Sequence, residues 1–330
     1  METSLARPQL AAGLAVIYVV WGSTYVALKI AVVDLPPLLL SAGRFFLAGA
    51  VLYAWCAARR RRHPRPDWRA PTAAEWGAGV VLGVLLPAAG TGGATWAEQR
   101  LPSGTTALLL ATIPVWLVLT KRLVDRERIG PRAAVGLIAG LAGVAVLVNP
   151  FSGPAPDPLS AVVAVGGAAC WGAGTVYGQH APRPAQPLLA SAIEMLGAGG
   201  VLFLLAAPAG EYGELHRPDW SAVAALGYLV VFGSLVAYTT YEWLLHHAPA
   251  RIVGTYAFVN PVVAVGLGWL LLDEHVGWRT GLAAAVIAAG VALIVTQREP
   301  QERPAARPVS RTSPAARSPR CTPSGSSPAR

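Results

Sequence analysis

The sequence predicts an all-α integral membrane protein of ten transmembrane helices, built as two inverted five-helix repeats. Three observations carry this prediction. Hydrophobic residues are 54% of the chain against 13% charged, with a mean hydropathy of +0.49, and a soluble domain of that composition could not cover its surface with polar groups. Residues 37–53 and 187–203 are identical at nine of seventeen positions, at a constant offset of 150. The basic residues gather in a few segments between or after the apolar stretches.

The duplication runs the length of the apolar region. Trp21-Gly22 and Trp171-Gly172 share the offset of 150. Further on, Pro102, Pro114, Glu127, Gly130, Arg132 and Gly143-Val144-Ala145 recur at an offset of 147 as Pro249, Pro261, Glu274, Gly277, Arg279 and Gly290-Val291-Ala292. A helix needs about 20 apolar residues to cross a bilayer. Such runs fall at residues 10–32, 37–58, 74–96, 103–122, 131–149, 159–178, 187–207, 220–243, 251–272 and 279–297. Residues 1–150 then form the first five-helix repeat and 151–299 the second. Residues 300–330, rich in Pro, Arg, Ser and Ala, have too little apolar content to fold and read as a disordered cytoplasmic tail.

Orientation follows from the excess of Lys and Arg in cytoplasmic loops. With the N-terminus inside, cytoplasmic segments hold 21 of the 26 basic residues; the outer segments hold only Arg100, Arg217 and Arg279, and Lys29 and Arg44 lie within spans. Both termini are therefore expected in the cytoplasm. Five helices per repeat is an odd number, so the second repeat starts on the opposite side and is inverted. The net charge of +9 reflects this topology rather than nucleic-acid binding. Cys56, Cys170 and Cys321 have no shared spacing and indicate neither a disulfide framework nor a metal site. Only Arg7 precedes the first apolar run, and no small-residue cleavage site ends that run before Trp21, so it reads as a retained helix.

The first-helix motif Trp21-Gly22-Ser23-Thr24-Tyr25-Val26-Ala27-Leu28-Lys29, the prolines Pro114 and Asn260-Pro261 in the fourth and ninth spans, and the two copies together resemble the EamA family of the drug/metabolite transporter superfamily, over roughly residues 8–297. That resemblance implies a helix bundle around a central cavity and, most often, export of small metabolites or amino acids from bacteria. It implies no particular cargo.

Trp21, Tyr25 and Lys29 recur every four residues and form one stripe, with Trp171, Thr175 and Gln179 as repeat partners. Lipid-facing positions gain nothing from such groups, so the two stripes are expected to face each other across a cavity and bind substrate. The alternative is that the tryptophans pack helices while Gly22 and Gly172 permit close approach. The Lys29 ammonium could hold a substrate carboxylate or reach the outer headgroups. Tyr256 and Asn260 are further cavity candidates. Glu194 is the candidate for proton coupling, since burial favours the neutral form of an acid; a hydrogen-bonded structural acid is the other reading. Arg44 occupies the position equivalent to Glu194, but inversion puts their backbones at different depths and argues against a direct pair. Trp96 and Trp243, matched at offset 147, are gate candidates near helix ends, and Pro114 and Pro261 are hinge candidates because each removes a backbone donor. Glu127 and Glu274 are expected to organise the turns after the fourth and ninth spans.

The chain carries no phosphate-binding glycine loop, no Gly-x-Ser-x-Gly elbow and no paired-His metal motif, so it is read as a non-enzyme with no cofactor and no metal. The expected function is secondary transport, exporting a small metabolite or amino acid across a bacterial inner membrane by alternating access between inverted repeats. Uptake of a sugar or nucleotide sugar is the alternative within transport. A non-transporting receptor or scaffold is the alternative from another class. The implied partners are a small-molecule substrate, the lipid bilayer and, through Glu194, protons.

Overall fold

A computed structural model describes residues 7–62, 69–126, 129–148, 157–248, 250–253 and 255–295, which belong to one compact unit. The expected tail at 300–330, the expected turn role of Glu127, and Pro249 lie outside the described residues. We number the helices α1 (Arg7–Ala31), α2 (Pro37–Arg62), α3 (Ala73–Ala97), α4 (Ser103–Val124) and α5 (Pro131–Val148). They continue as α6 (Pro158–His180), α7 (Pro187–Ala206), α8 (from Trp220 to His247), α9 (Tyr256–Leu272) and α10 (Trp278–Val295). A single turn, Ala250–Val253, precedes α9. Among the described residues there is no strand.

Seven of these helices (α1 to α4 and α6 to α8) are long and apolar enough to cross a membrane, while the apolar stretches of α5, α9 and α10 are shorter. The outer faces carry exposed Leu47, Val51, Leu204, Leu205, Val262 and Trp269. So much apolar surface in a folded chain fits contact with lipid rather than water.

Helix ends are fixed by residues that suit them. Pro131, Pro158 and Pro187 each stand at a helix start, where their missing N–H removes a donor that has no intrahelical acceptor. Thr72 and Glu75 form a reciprocal capping box on α3, with Arg69 donating to Glu75 Oε1 at 2.5 Å. Asp157 caps α6 by accepting from Ser160 N at 2.8 Å and Ser160 Oγ at 2.7 Å, and these bonds hold its carboxyl below the usual range.

Two other caps come from far along the chain. Glu211 accepts from Leu38 N at 3.1 Å and Leu39 N at 2.9 Å at the start of α2. Glu274 accepts from Ser103 N at 2.7 Å and Gly104 N at 3.3 Å at the start of α4, and from Ser103 Oγ at 3.0 Å. Glu274 thus secures a helix in the first half of the chain as well as following α9. Each carboxylate meets the unsatisfied N–H groups and the positive end of a helix dipole.

Regular winding is interrupted where the sequence carries proline or glycine. Residues Val84–Gly92 of α3, including Pro87, and Leu229–Val236 of α8 adopt the wider π winding. α4 breaks at residues 111–112, and Pro114 opens its second segment. Pro261 instead sits inside an unbroken α9.

The principal packing pairs are α1 on α9 and on α8, α6 on α4 and on α3, α2 on α7, α3 on α7, α2 on the wide turn of α8, and α5 on α10. Small residues set these approaches. A Cβ on Gly22 of α1 would lie 2.5 Å from Val263 Cβ of α9, and one on Gly172 of α6 would lie 2.8 Å from Leu117 N of α4.

Candidate functional site

A cavity of about 80 Å³, counted as space open to the centre of a water-sized sphere, lies among α1, α2, α3, α4, α6, α8 and α9. α1 contributes Trp21, Thr24, Tyr25 and Leu28, α2 contributes Arg44, and α3 contributes Thr91 and Ala94. Leu110 and Ile113 flank the break in α4, and Trp171, Tyr238, Tyr256 and Asn260 complete the wall. A space of this size takes several waters or one small solute.

One side of the cavity is aromatic. The Trp21 ring lies 5.7 Å from Tyr238, 5.2 Å from Tyr241 and 5.1 Å from Tyr256, and Tyr241 and Tyr256 meet edge-on at 5.9 Å. These separations are those of favourable edge and tilted ring contacts. Trp21 is further fixed by donating Nε1–H to the Gly233 carbonyl at 3.2 Å, a group that the wide turn of α8 presents to α1. The Tyr18 hydroxyl bonds the Thr255 hydroxyl, tying α1 to the start of α9. Hydrogen bonds thus fix Trp21 to α8 and α1 to the start of α9 beside the aromatic cluster.

The charge in this wall is Arg44. Its side chain is 4% exposed; Nε donates to Ser234 Oγ at 3.0 Å, and the guanidinium lies 5.0 Å from the Phe45 ring centroid. Nη1 has no hydrogen-bond partner. On the same cavity Asn260 is 7% exposed and its Oδ1 is also without a partner. Gly233 makes room for the arginine, since a Cβ there would stand 3.0 Å from Nη2.

Of the residues expected to bind substrate, Trp21, Tyr25, Trp171, Tyr256 and Asn260 come together on this cavity. Lys29, Thr175 and Gln179 are not among its lining residues. Lys29 Nζ donates to the carbonyls of Glu98 at 2.5 Å and Leu101 at 2.9 Å, beyond the end of α3. Thr175 Oγ1 donates to its own helix at Trp171 O, 2.8 Å away, and Gln179 is exposed. Glu194 accepts from Arg183 Nη2 at 2.6 Å, so it and Arg44 hold separate partners. Trp96 lies under the Arg100 guanidinium at 5.7 Å, and Trp243 stacks on His247 at 4.9 Å. Neither tryptophan is among the cavity residues, nor are Pro114 and Pro261, although their neighbours Ile113 and Asn260 are.

Sequence reasoning did not place Arg44, Thr91 or Tyr238 at the cavity. A signal was present: Thr91 and Tyr238 are separated by 147 residues, as are Ile113 and Asn260, the spacing of the later repeat matches. Glu98 follows Trp96 and Ala97 at the end of α3. It is fully buried, and neither carboxylate oxygen has a hydrogen-bond partner.

The two carbonyls held by Lys29 lie past the last regular turn of α3, where carbonyls otherwise lack donors. Lys29→Met is therefore expected to lower thermal stability by about 2 kcal/mol, the usual worth of a hydrogen bond to a charged group. An unchanged melting midpoint of the purified variant would show that those carbonyls do not need the ammonium.

Comparison with known proteins gives a consistent picture. The pattern of the EamA-like transporter family matches residues 9–149 and again residues 158–296. The "Uncharacterized inner membrane transporter YedA" of Escherichia coli (strain K12) is 36% identical over 281 residues, covering 84% of this chain and 88% of its own length. The "Uncharacterized transporter YoaV" of Bacillus subtilis (strain 168) is 23% identical over 290 residues, covering 84% of this chain and 94% of its own. A second Escherichia coli (strain K12) protein, named "Probable amino-acid metabolite efflux pump", is 24% identical over 288 residues, covering 83% and 91%. A solved crystal structure at 20% identity aligns with a TM-score of 0.57 over 87% of this chain and 96% of its own, a likeness of fold.

Proposed function

Because the chain belongs to the EamA-like transporter family, we propose that it exports a small metabolite or amino acid across a bacterial inner membrane, by alternating access between two inverted repeats of five helices. The observation that carries this reading is the exchange symmetry of the packing. Swapping α1 with α6, α2 with α7, α3 with α8, α4 with α9 and α5 with α10 turns each principal packing pair into another of the set or into itself. The cavity follows the same exchange, with Trp21 matched by Trp171, Thr91 by Tyr238 and Ile113 by Asn260 among its lining residues. Two halves so related can trade conformations, one arrangement open inward and the other outward around a fixed central site.

The break in α4 before Pro114 and the proline in α9 supply places where such an exchange could bend the helices. The lining combines the Trp21 aromatic cluster and Trp171 with the side chains of Leu110, Ile113 and Thr91. Export rather than uptake rests on the efflux pump among the relatives. Glu194 remains the proposed proton-coupling acid. It is buried, and its Arg183 partner is partly exposed, so the pair has a route to solvent.

Purified protein in liposomes should move solute down an imposed gradient from both faces, at a rate that saturates with concentration. Single cysteines placed beside Trp21 and Trp171 should change their labelling when solute is added. Labelling that never responds to any transported or bound solute would favour a receptor or scaffold. Both termini belong in the cytoplasm on this reading, and a reporter fused after Gln297 that works only in the periplasm would contradict it.

A further inference from the structure

We infer that Arg44 is the anchor for a carboxylate on the solute, and that Asn260 Oδ1 receives a hydroxyl or ammonium donor of the same molecule. The class of solute is then a small monocarboxylic acid bearing a hydrogen-bond donor, such as a 2-hydroxy or 2-amino acid. This inference rests on the transport reading of the cavity and gives it a chemistry.

The argument begins with what Arg44 lacks. A guanidinium 4% exposed needs acceptors for its N–H groups; Nε has one in Ser234, while Nη1 has none. Among the described residues no carboxylate comes within ion-pair distance of it: Glu194 is held by Arg183, and Glu98 forms no ion pair. A buried cation left so is costly, unless something that enters the cavity completes it. The planar fork of a guanidinium matches a carboxylate, which can take two N–H bonds at once.

Charge and size narrow the class. Arg44 is the one charged side chain among the described lining residues, and Lys29 is occupied by two carbonyls outside the wall. A single positive charge balances one negative charge, so a doubly ionised phosphate is poorly matched. Asn260 supplies the second point: a buried carbonyl oxygen without a donor, on the wall of the same cavity. A cavity of about 80 Å³ takes one small solute at a time. The Trp21 and Tyr256 rings then face its carbon skeleton, and the two polar points fix its orientation.

The test uses four solutes on the full-length purified protein: lactate, its amide lactamide, the amine 1-aminopropan-2-ol, and propionate, which lacks the hydroxyl. Lactate is expected to raise the thermal midpoint, and lactamide and the amine to leave it unchanged. Propionate should bind about tenfold more weakly than lactate, the worth of one hydrogen bond. Arg44→Lys should weaken lactate about 10–100-fold, and Asn260→Leu should abolish the difference between lactate and propionate. Equal stabilisation by lactamide or the amine, or no shift with any of the four, overturns the inference, and neither result depends on a variant that folds. Flux in liposomes separates the two readings. Saturable movement of a cationic solute, unaffected by Arg44→Lys, overturns the carboxylate anchor and leaves transport standing. Arginine-dependent lactate binding without flux of any solute upholds the anchor and removes transport.

Discussion

Replacing Gly83 with alanine is expected to be the most damaging single-methyl change in the protein. Gly83 lies on α3 where it crosses α7, and a Cβ there would sit 2.2 Å from the Glu194 carbonyl oxygen and 2.8 Å from Ala198 N. Both are backbone atoms inside a helix, so neither can rotate away, and the two helices must separate. Overpacking of this kind costs about 3 kcal/mol at its upper range. Because α3 also packs on α6 beside the cavity, the displacement should reach the site as well. Gly77→Ala is the matched control, being on the same helix with nothing within 4 Å of its Cβ position. That change should stay within about 1 kcal/mol of the parent, or improve on it, as glycine-to-alanine changes in helices do. Thermal midpoints of both variants in one detergent decide the matter, and equal midpoints would mean that the α3–α7 crossing is looser than the structure has it.

Removing the Glu274 carboxylate should be the second large effect. Glu274→Ala leaves Ser103 N, Gly104 N and Ser103 Oγ without their acceptor at the start of α4. Loss of a charged cap at a helix N-terminus costs about 2 kcal/mol, more where water cannot replace it. Glu274→Gln keeps an acceptor oxygen without the charge and should fall between. Glu211→Ala should show the same pattern at α2, since Leu38 N and Leu39 N there depend on a carboxylate equally remote in sequence. Melting curves that place Glu274→Ala level with the parent would show that α4 needs no acceptor from the second half of the chain.

Much of the helical framework was legible because a membrane imposes one rule on a whole segment: an apolar run long enough to cross it. Among the described residues the expected spans fall on helices, most with ends within a few residues, and the ninth is divided between the turn Ala250–Val253 and α9. Winding and long-range capping were not legible. Nothing in hydropathy marks Val84–Gly92 as wide, and a cap supplied by Glu274 to Ser103 joins residues 171 apart. The site was half legible for a geometric reason. Residues four apart advance about 40° around a helix, so Lys29, two such steps from Trp21, has turned about 80° away from the face that Trp21 defines. Trp21, Tyr25, Trp171, Tyr256 and Asn260 stood out because aromatic or polar groups are costly where only lipid would meet them. Arg44 was weighed only against its repeat partner Glu194, whereas its actual neighbour, Ser234, belongs to a helix with no equivalent charge to draw attention to it.

Arg44 also fixes something about time. Its hydroxyl partner, Ser234, is 190 residues further along the chain. At about 5–20 residues per second a ribosome needs roughly 10–40 s to cover that interval. Throughout it, the guanidinium of α2 has no Ser234 to meet; an arginine at the centre of a lone helix costs about 2.5–3.5 kcal/mol to insert, an upper bound for Arg44, which lies in the first third of α2. The apolar neighbours Phe45, Phe46 and Leu47 offset only part of that, at about 0.3–0.6 kcal/mol each. α2 is made second, but its buried arginine can reach its hydroxyl partner only after α8 has been made, so the order of synthesis separates the cost of Arg44 from the contact that offsets it.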